Sequence, residues 1–518
     1  MRAVVEAVRS VVIVGGGTAG WLTAGIIAAR HQARIRAGGF SVTLVESPNI
    51  QIIGVGEGTW PTMRSTLERM GVSETAFFRE CDAAFKQGGQ FARWTSGAED
   101  DAYYHPLMFP QGFHQVNLVP HWLRDGAGRS FCDFVTPQGR LCDEGLAPKA
   151  ITNAEYRGPA NYAYHLDAGK FAPFLAKHCA EKLGVRHVLA DITSVKQRES
   201  GDIESVLTQQ AGTIGGDLWV DCSGFSALLL GKTLGVAFRP CSDVLFCDTA
   251  LAVQVPFGTP DAPMASHTIA TAHDAGWTWD IALPTRRGVG YVYSSRHTTE
   301  EAARQTLLNY IGAQHANLPV RKIPIRGGHR ELFWKNNCLA IGLASGFLEP
   351  LESSAIVLVE LSAKLLAEQM PACREVMDIV ARRFNEVTTY RFGRIIDFLK
   401  LHYCLTRRTD TAFWRDNADP ASVPPRLQDL LTLWKYQSPW SFDELDRLEE
   451  VFPAASYQYV LYGMGFRTEV VPEETAESAP AAARLVREND QITGDMRARL
   501  PKNRELLNKI YQYGMQPI

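Results

Sequence analysis

With 518 residues, 46% of them hydrophobic and 21% charged, the chain has an ordinary globular composition and is long enough for two or more lobes sharing a core. Its 53 Lys+Arg nearly balance 56 Asp+Glu, so neither a nucleic-acid-binding surface nor an acidic solvating tail is expected. The ten cysteines are scattered without a CxxC pair; this argues against a zinc ribbon and a dense disulfide framework and for a reducing compartment. No metal is expected, and the expected location is cytoplasmic.

The opening MRAVVEAVRS has too short an apolar run for a secretory signal. Val11 to Ala29 is uncharged and long enough to suggest a membrane span, but Gly15, Gly16, Gly17, Gly20 and Gly25 interrupt it. Adjacent glycines make a poor helix centre, so no membrane segment is expected here. The run divides instead into a buried strand (Val11–Val14), a glycine turn and a helix from about Ala19. A second strand, FSVTLVES, carries Glu46 near its end. The order strand, Gly15-x-Gly17-x-x-Gly20, helix, strand, acid is the dinucleotide-binding arrangement. Glycines bring backbone N–H groups close to a pyrophosphate, the helix start adds partial positive charge, and Glu46 can accept from a ribose hydroxyl. A glycine turn that serves only packing would not require that acid.

IIGVGEGTWPT follows, where Gly54, Gly56 and Gly58 make a strap able to lie against a flat ring. In AAFKQGGQFARW, Lys86 stands among apolar and glycine neighbours. Buried beside a reaction chamber it would be a usable neutral amine; otherwise it snorkels to the surface. From Arg186 to about Leu218, short alternating segments predict an antiparallel meander returning to a buried strand, Leu218–Cys222. GWTWDIALP puts Trp277 and Trp279 on one face of an extended strand, lining either a core or a cavity. NNCLAIGLASG reads as a further strand. In FLEPLESSAIVLVELSAKLL, Ser353 or Ser354 can cap a helix with Ile356, Val359 and Leu365 on its apolar face. Glu349 and Glu352 lie beside that helix start, whose free N–H groups could hold a small anion. After Pro371 helix patterns dominate, and VVPEETAESAPAAA (470–483) reads as an exposed connection. The expected fold is α/β, a discontinuous nucleotide-binding lobe over residues 1–370 followed by a mainly helical substrate-binding region over 371–518.

Together these segments resemble the flavin-dependent tryptophan halogenases over most of the chain. The resemblance implies a lobe of the aromatic-hydroxylase type that binds FAD through Gly15, Gly17, Thr18, Ala19, Gly20, Glu46, Gly54, Val55, Gly56, Glu57 and Ile356. It implies that a separate NAD(P)H-dependent reductase supplies FADH2, that O2 and a chloride held at Ser354 and Ala355 yield hypochlorous acid, and that Lys86 holds this species. Glu352 would orient it or accept the ring proton, and Trp277 and Trp279 would keep the organic substrate from the flavin. His105, in YYHPLMFP, would approach the ring, with Leu107 where the family has a stacking phenylalanine. The family's W-x-W-x-I-P is here Trp277-Thr-Trp279-Asp-Ile281-Ala, with Pro284 two places late, and its E-S-T-G is Glu352-Ser353-Ser354-Ala355. The tyrosine pair and acid that grip free tryptophan have no match; Tyr457, Tyr459 and Tyr462 are spaced differently. The implied substrate is therefore an indole within a peptide, as in natural-product tailoring, with free indole or free tryptophan as the alternative, and the implied assembly is a homodimer. A single-component aromatic hydroxylase would need neither Lys86 nor the tryptophan wall, and a non-catalytic flavin scaffold would need only the first glycine segment.

Overall fold

The computed structural model describes residues 7–50, 56–126, 128–441 and 450–518. A six-stranded sheet forms the nucleotide-binding half, in the order Trp334–Lys335, Cys338–Ala340, Leu218–Asp221, Ser10–Val14, Ser41–Glu46 and Arg186–Leu189. All its pairings are parallel except the first. Ser10–Val14 is central because it is apolar on both faces, as a doubly covered parallel strand must be. Val11 and Ile13 pack into the main core with the helix Thr18–Arg30, while Val12 and Val14 pack on the other side against Trp219, Ile203 and Val206. Burying each such side chain contributes about 1.5–3 kcal/mol.

The expected meander is present as an antiparallel trio, Ile192–Gln197, Ile203–Thr208 and Gly212–Gly215. Its expected first segment is different: Arg186–Leu189 pairs with Ser41–Glu46 as the edge of the parallel sheet. The hydrogen-bonding edge left open by Ser41–Glu46 decides that, and alternation of side chains cannot reveal it.

A seven-stranded sheet carries the second half, in the order Arg321–Pro324, Thr249–Pro256, Arg286–Tyr293, Gly276–Ala282, Thr268–His273, Gly88–Ala92 and Ala102–Pro106. A small sheet of Gly56–Gly58, Ala163–Asp167 and Ala84–Lys86 joins this frame, and another pairs Phe238–Pro240, Gly328–Arg330 and Gly346–Phe347. The long helix Arg374–Cys404 and the helices Ala454–Gly463, Pro472–Arg499 and Asn503–Tyr513 dominate the C-terminal region. The expected connection over 470–483 is thus mostly helix. Pro472 stands in the first turn, where its missing N–H costs nothing, and the following Ala-rich run favours helix. Pro480 lies inside the helix, where a proline ordinarily costs about 3 kcal/mol, and the buried Ala482 and Leu485 just after it pin that stretch to the core. No helix among the described residues is long and apolar enough to cross a membrane. Val11 to Ala29 is strand, turn and helix.

Candidate active site

The glycine loop is built as a backbone cradle. Gly15 has φ +118°, and a Cβ there would lie 2.2 Å from the Cys222 carbonyl oxygen, so only glycine fits. A Cβ on Gly20 would lie 1.9 Å from the Gly15 oxygen. Gly20 therefore lets the helix close onto the strand, and it does not itself line the cavity. Gly17 faces open space. Glu46 Oε2 accepts from His187 Nε2 at 2.8 Å, and the Glu46 side chain lies against Gly16.

One cavity of about 650 Å³ is lined by Gly15, Gly17, Thr18, Ala19, Glu46, Gly56, Glu57 and Ile356, and also by Lys86, His105, Leu107, Trp277, Trp279, Glu352, Ser354 and Ala355. Every expected site residue that is described, Gly20 excepted, therefore meets in one space. Gly54 and Val55 fall outside the described residues. The unfilled space before Gly17, the side-chain-free loop and the acid at the end of the second strand fit FAD.

Lys86 ends the strand Ala84–Lys86 and is only 3% exposed. Its Nζ donates to the Thr59 carbonyl at 3.2 Å and to Ser353 Oγ at 3.0 Å, and lies 5.9 Å from the Trp60 ring centre. Burial lowers its pKa to about 8, although the Glu352 charge pulls the other way. Gly58 makes room for this contact, because a Cβ there would lie 2.5 Å from Ser353 Oγ.

Glu352 and Ser353 are consecutive residues with φ of +65° and +56°. Each left-handed non-glycine residue costs on the order of 1–3 kcal/mol. Two hydrogen bonds hold the bend: Trp60 Nε1 donates to the Glu352 carbonyl at 2.8 Å, and Lys86 holds the Ser353 hydroxyl. The expectation that a serine hydroxyl caps the next helix is corrected here. Ser353 occupies the cap position of Ser354–Glu368, but its side chain makes no capping bond because it turns to Lys86. The helix-start amides at Ser354 and Ala355 are left without a side-chain cap.

The Glu352 side chain is 5% exposed and its Oε1 accepts from His105 Nδ1 at 2.8 Å and from His402 Nε2 at 3.1 Å. Burial alone would raise its pKa, but the two histidines outweigh it and hold the carboxyl well below the usual range. Neither His402 nor Trp60 was expected from sequence. His402 sits in an ordinary helical stretch, and nothing local ties it to a glutamate 50 residues earlier.

Trp277 and Trp279 lie on one face of Gly276–Ala282, ring centres 6.5 Å apart. Gly290 on the neighbouring strand makes space for Trp279, since a Cβ there would lie 2.1 Å from its ring. His105 packs near Phe398 at 5.6 Å and Trp60 at 5.8 Å between ring centres. Tyr457, Tyr459 and Tyr462 are all buried. The Tyr459 hydroxyl donates to the Met108 carbonyl at 2.9 Å and that of Tyr462 lies 2.9 Å from Thr468 Oγ1.

The sequence profile of the family described as tryptophan halogenase matches residues 10–481. The chain is 36% identical over 482 residues to the tryptophan 6-halogenase SttH of Streptomyces toxytricini, covering 88% of this chain and 89% of that protein. Among solved structures, a tryptophan halogenase from Shewanella frigidimarina superposes with a TM-score of 0.96 at 46% identity, over 99% of each chain. Tar14, a tryptophan C-6 flavin-dependent halogenase from taromycin biosynthesis, superposes with a TM-score of 0.90 at 32% identity, over 97% of this chain and 99% of its own.

Proposed function

This chain belongs to the tryptophan halogenase family, and on that premise we propose that it chlorinates the indole ring of a tryptophan held within a peptide, with Lys86 and Glu352 as its catalytic pair. The family is flavin-dependent, using FADH2, O2 and chloride, and draws its reduced flavin from a separate reductase. When bound, FADH2 supplies the two electrons and two protons that, with one further proton, convert O2 and chloride into hypochlorous acid and water.

The chain's own residues divide the remaining work. Amides at the start of Ser354–Glu368 hold chloride where the helix end is partly positive. Trp277 and Trp279 wall the indole off from the flavin. The neutral Lys86 amine holds hypochlorous acid, or takes its chlorine as an N–Cl bond forms, the O–Cl bond breaks and water leaves. The C–Cl bond then forms from the ring π electrons as the N–Cl (or O–Cl) bond breaks, its electron pair staying on nitrogen (or leaving as water once protonated). Glu352 accepts the ring proton as the C–H pair restores aromaticity, and a proton is returned to the amine or the leaving oxygen. The observation that carries this reading is Lys86, buried, with its pKa lowered to about 8, in the same cavity as the glycine cradle and Glu352. Neither a single-component hydroxylase nor a nucleotide scaffold has a use for it.

The peptide preference is supported by Tyr459 and Tyr462, whose hydroxyls engage protein atoms, and by Leu107, which gives an apolar wall at the cavity. A second reading, free tryptophan as substrate, is favoured by the activity in the name of SttH. The test supplies FAD, NADH, a flavin reductase and chloride with free tryptophan, indole and tryptophan-containing peptides. Mass spectrometry then looks for the chlorine isotope doublet, with Lys86→Ala alongside. A doublet on a peptide, lost in the variant, supports the proposal; a doublet on free tryptophan alone selects the second reading. Oxygen added to a substrate, unaffected by losing Lys86, would replace both with a hydroxylase.

A further inference from the structure

We infer that His402 is a positioning residue for this site, a buried imidazolium that pairs with Glu352 and presents its carboxylate, ionised and fixed, to the cavity. The inference rests on the reading that Glu352 belongs to the catalytic centre. His402 is fully buried, and its Nδ1 lies 3.0 Å from the Phe398 carbonyl oxygen one helical turn back. A carbonyl only accepts, so Nδ1 carries a hydrogen. Nε2 lies 3.1 Å from Glu352 Oε1, and an ionised carboxylate also only accepts, so Nε2 carries one too. Both ring nitrogens thus face acceptors, an arrangement that the doubly protonated imidazolium satisfies and either neutral tautomer does not.

His105 differs. Its Nδ1 donates to the same oxygen, but no hydrogen bond among the described residues reaches its Nε2, so its geometry alone does not call for a second hydrogen. Moving the extra proton to Glu352 would leave His402 neutral. Against that stands the burial of both groups: a carboxylate this enclosed is tolerated when paired, and the two histidines hold it ionised despite desolvation.

The charged and titratable groups around the pair are few. Lys86 and His105 come from two strands, and Tyr103 lies 6.4 Å from His402 between ring centres. On the loop before Glu352, Glu349 is engaged by the Tyr403 hydroxyl. In this setting the pair has no net charge. Glu352 thereby attracts the Lys86 proton less than a bare carboxylate would, so one histidine serves both catalytic groups. No hydrogen bond among the described residues reaches Glu352 Oε2, leaving that oxygen for the substrate side.

The test combines His402→Gln, which keeps a donor near Glu352 but removes the charge, with Glu352→Gln, which removes the acceptor charge. Nitrogen NMR of histidine-labelled wild type at neutral pH should contain a ring signal with both nitrogens protonated that is absent from His402→Gln and converted to a singly protonated ring in Glu352→Gln. The rising limb of the pH–rate profile should move upward by about one unit in His402→Gln, because an uncompensated carboxylate holds the Lys86 proton more tightly. A merely structural histidine would lower the rate without moving that limb. Absence of the doubly protonated ring, or an unmoved limb in folded His402→Gln, overturns the inference. The NMR arm needs no turnover, so it stands even if the chain chlorinates none of the substrates offered.

Discussion

Lys86 Nζ meets Ser353 Oγ at 3.0 Å although 267 positions separate the two residues. That one contact ties the small three-stranded sheet to the left-handed bend before Ser354–Glu368. It thereby sets the amine and the helix-start amides in a fixed relation.

Gly58→Ala tests that relation directly. The added Cβ would lie 2.5 Å from Ser353 Oγ and 3.3 Å from Lys86 Nζ, so the hydrogen bond must open. A hydrogen bond to a charged group is worth about 1.5–3 kcal/mol, which predicts a roughly 10- to 100-fold loss of halogenation. The melting temperature should change little. Wild-type turnover in this variant would mean that the serine contact is dispensable.

The Lys86 amine loses its proton near pH 8 rather than at its ordinary value of 10.5. If the neutral amine handles the halogen, product formation with saturating reduced flavin rises with pH and levels off above about 8. Lys86→Met should be inactive at every pH while still binding FAD. A profile flat from pH 6.5 to 9 would rule out a titrating amine in the slow step.

Trp279 depends on the absence of a side chain at Gly290, where a Cβ would lie 2.1 Å from its ring. Gly290→Ala should displace the indole and breach the wall. Reduced flavin would then be consumed in larger excess over chlorinated product, by several-fold, as in Trp279→Ala. Comparing oxygen uptake with product for both variants checks this, and unchanged coupling would remove the wall from the mechanism.

Two buried carboxyls away from the reaction give a stability prediction. Burial pushes Glu360 up to about 8, its Thr62 and Thr66 hydroxyl contacts only partly opposing this, and pushes Glu349 up to about 7. Between the unfolded value of 4.5 and these values the folded state binds more protons than the unfolded one. Stability therefore falls as pH rises through that window. Glu360→Gln removes its share, on the order of a few kcal/mol by pH 8. Melting curves from pH 5 to 8 should be flatter for the variant; parallel curves would place the Glu360 titration elsewhere.

Much of this could be read in the chain. The strand, glycine turn and helix at Ser10–Arg30 were legible because periodicity, glycine placement and a following acid are local properties. The Trp277/Trp279 pair was legible for the same reason, since alternation puts both on one face wherever the strand lies. Helix over much of 470–483 was misread because Pro and small polar residues also mark loops; tertiary burial of Ala482 and Leu485 decided it.

What the sequence determined by itself was the set of chemical groups: a glycine cradle, an amine among apolar neighbours, a paired indole wall and acids at a helix start. Each follows from residue type and short-range spacing. Only the tertiary structure decided their partners. Ser353 could have capped its helix and instead accepts from Lys86, and His402 could have been one more buried helix residue and instead faces Glu352. Those choices depend on which strands pair and which helix crosses the cavity, and on the low dielectric created when hundreds of residues close over them. No local pattern encodes a contact between groups 50 or 267 positions apart, so burial and pairing set the proton affinities that the residue types alone leave open.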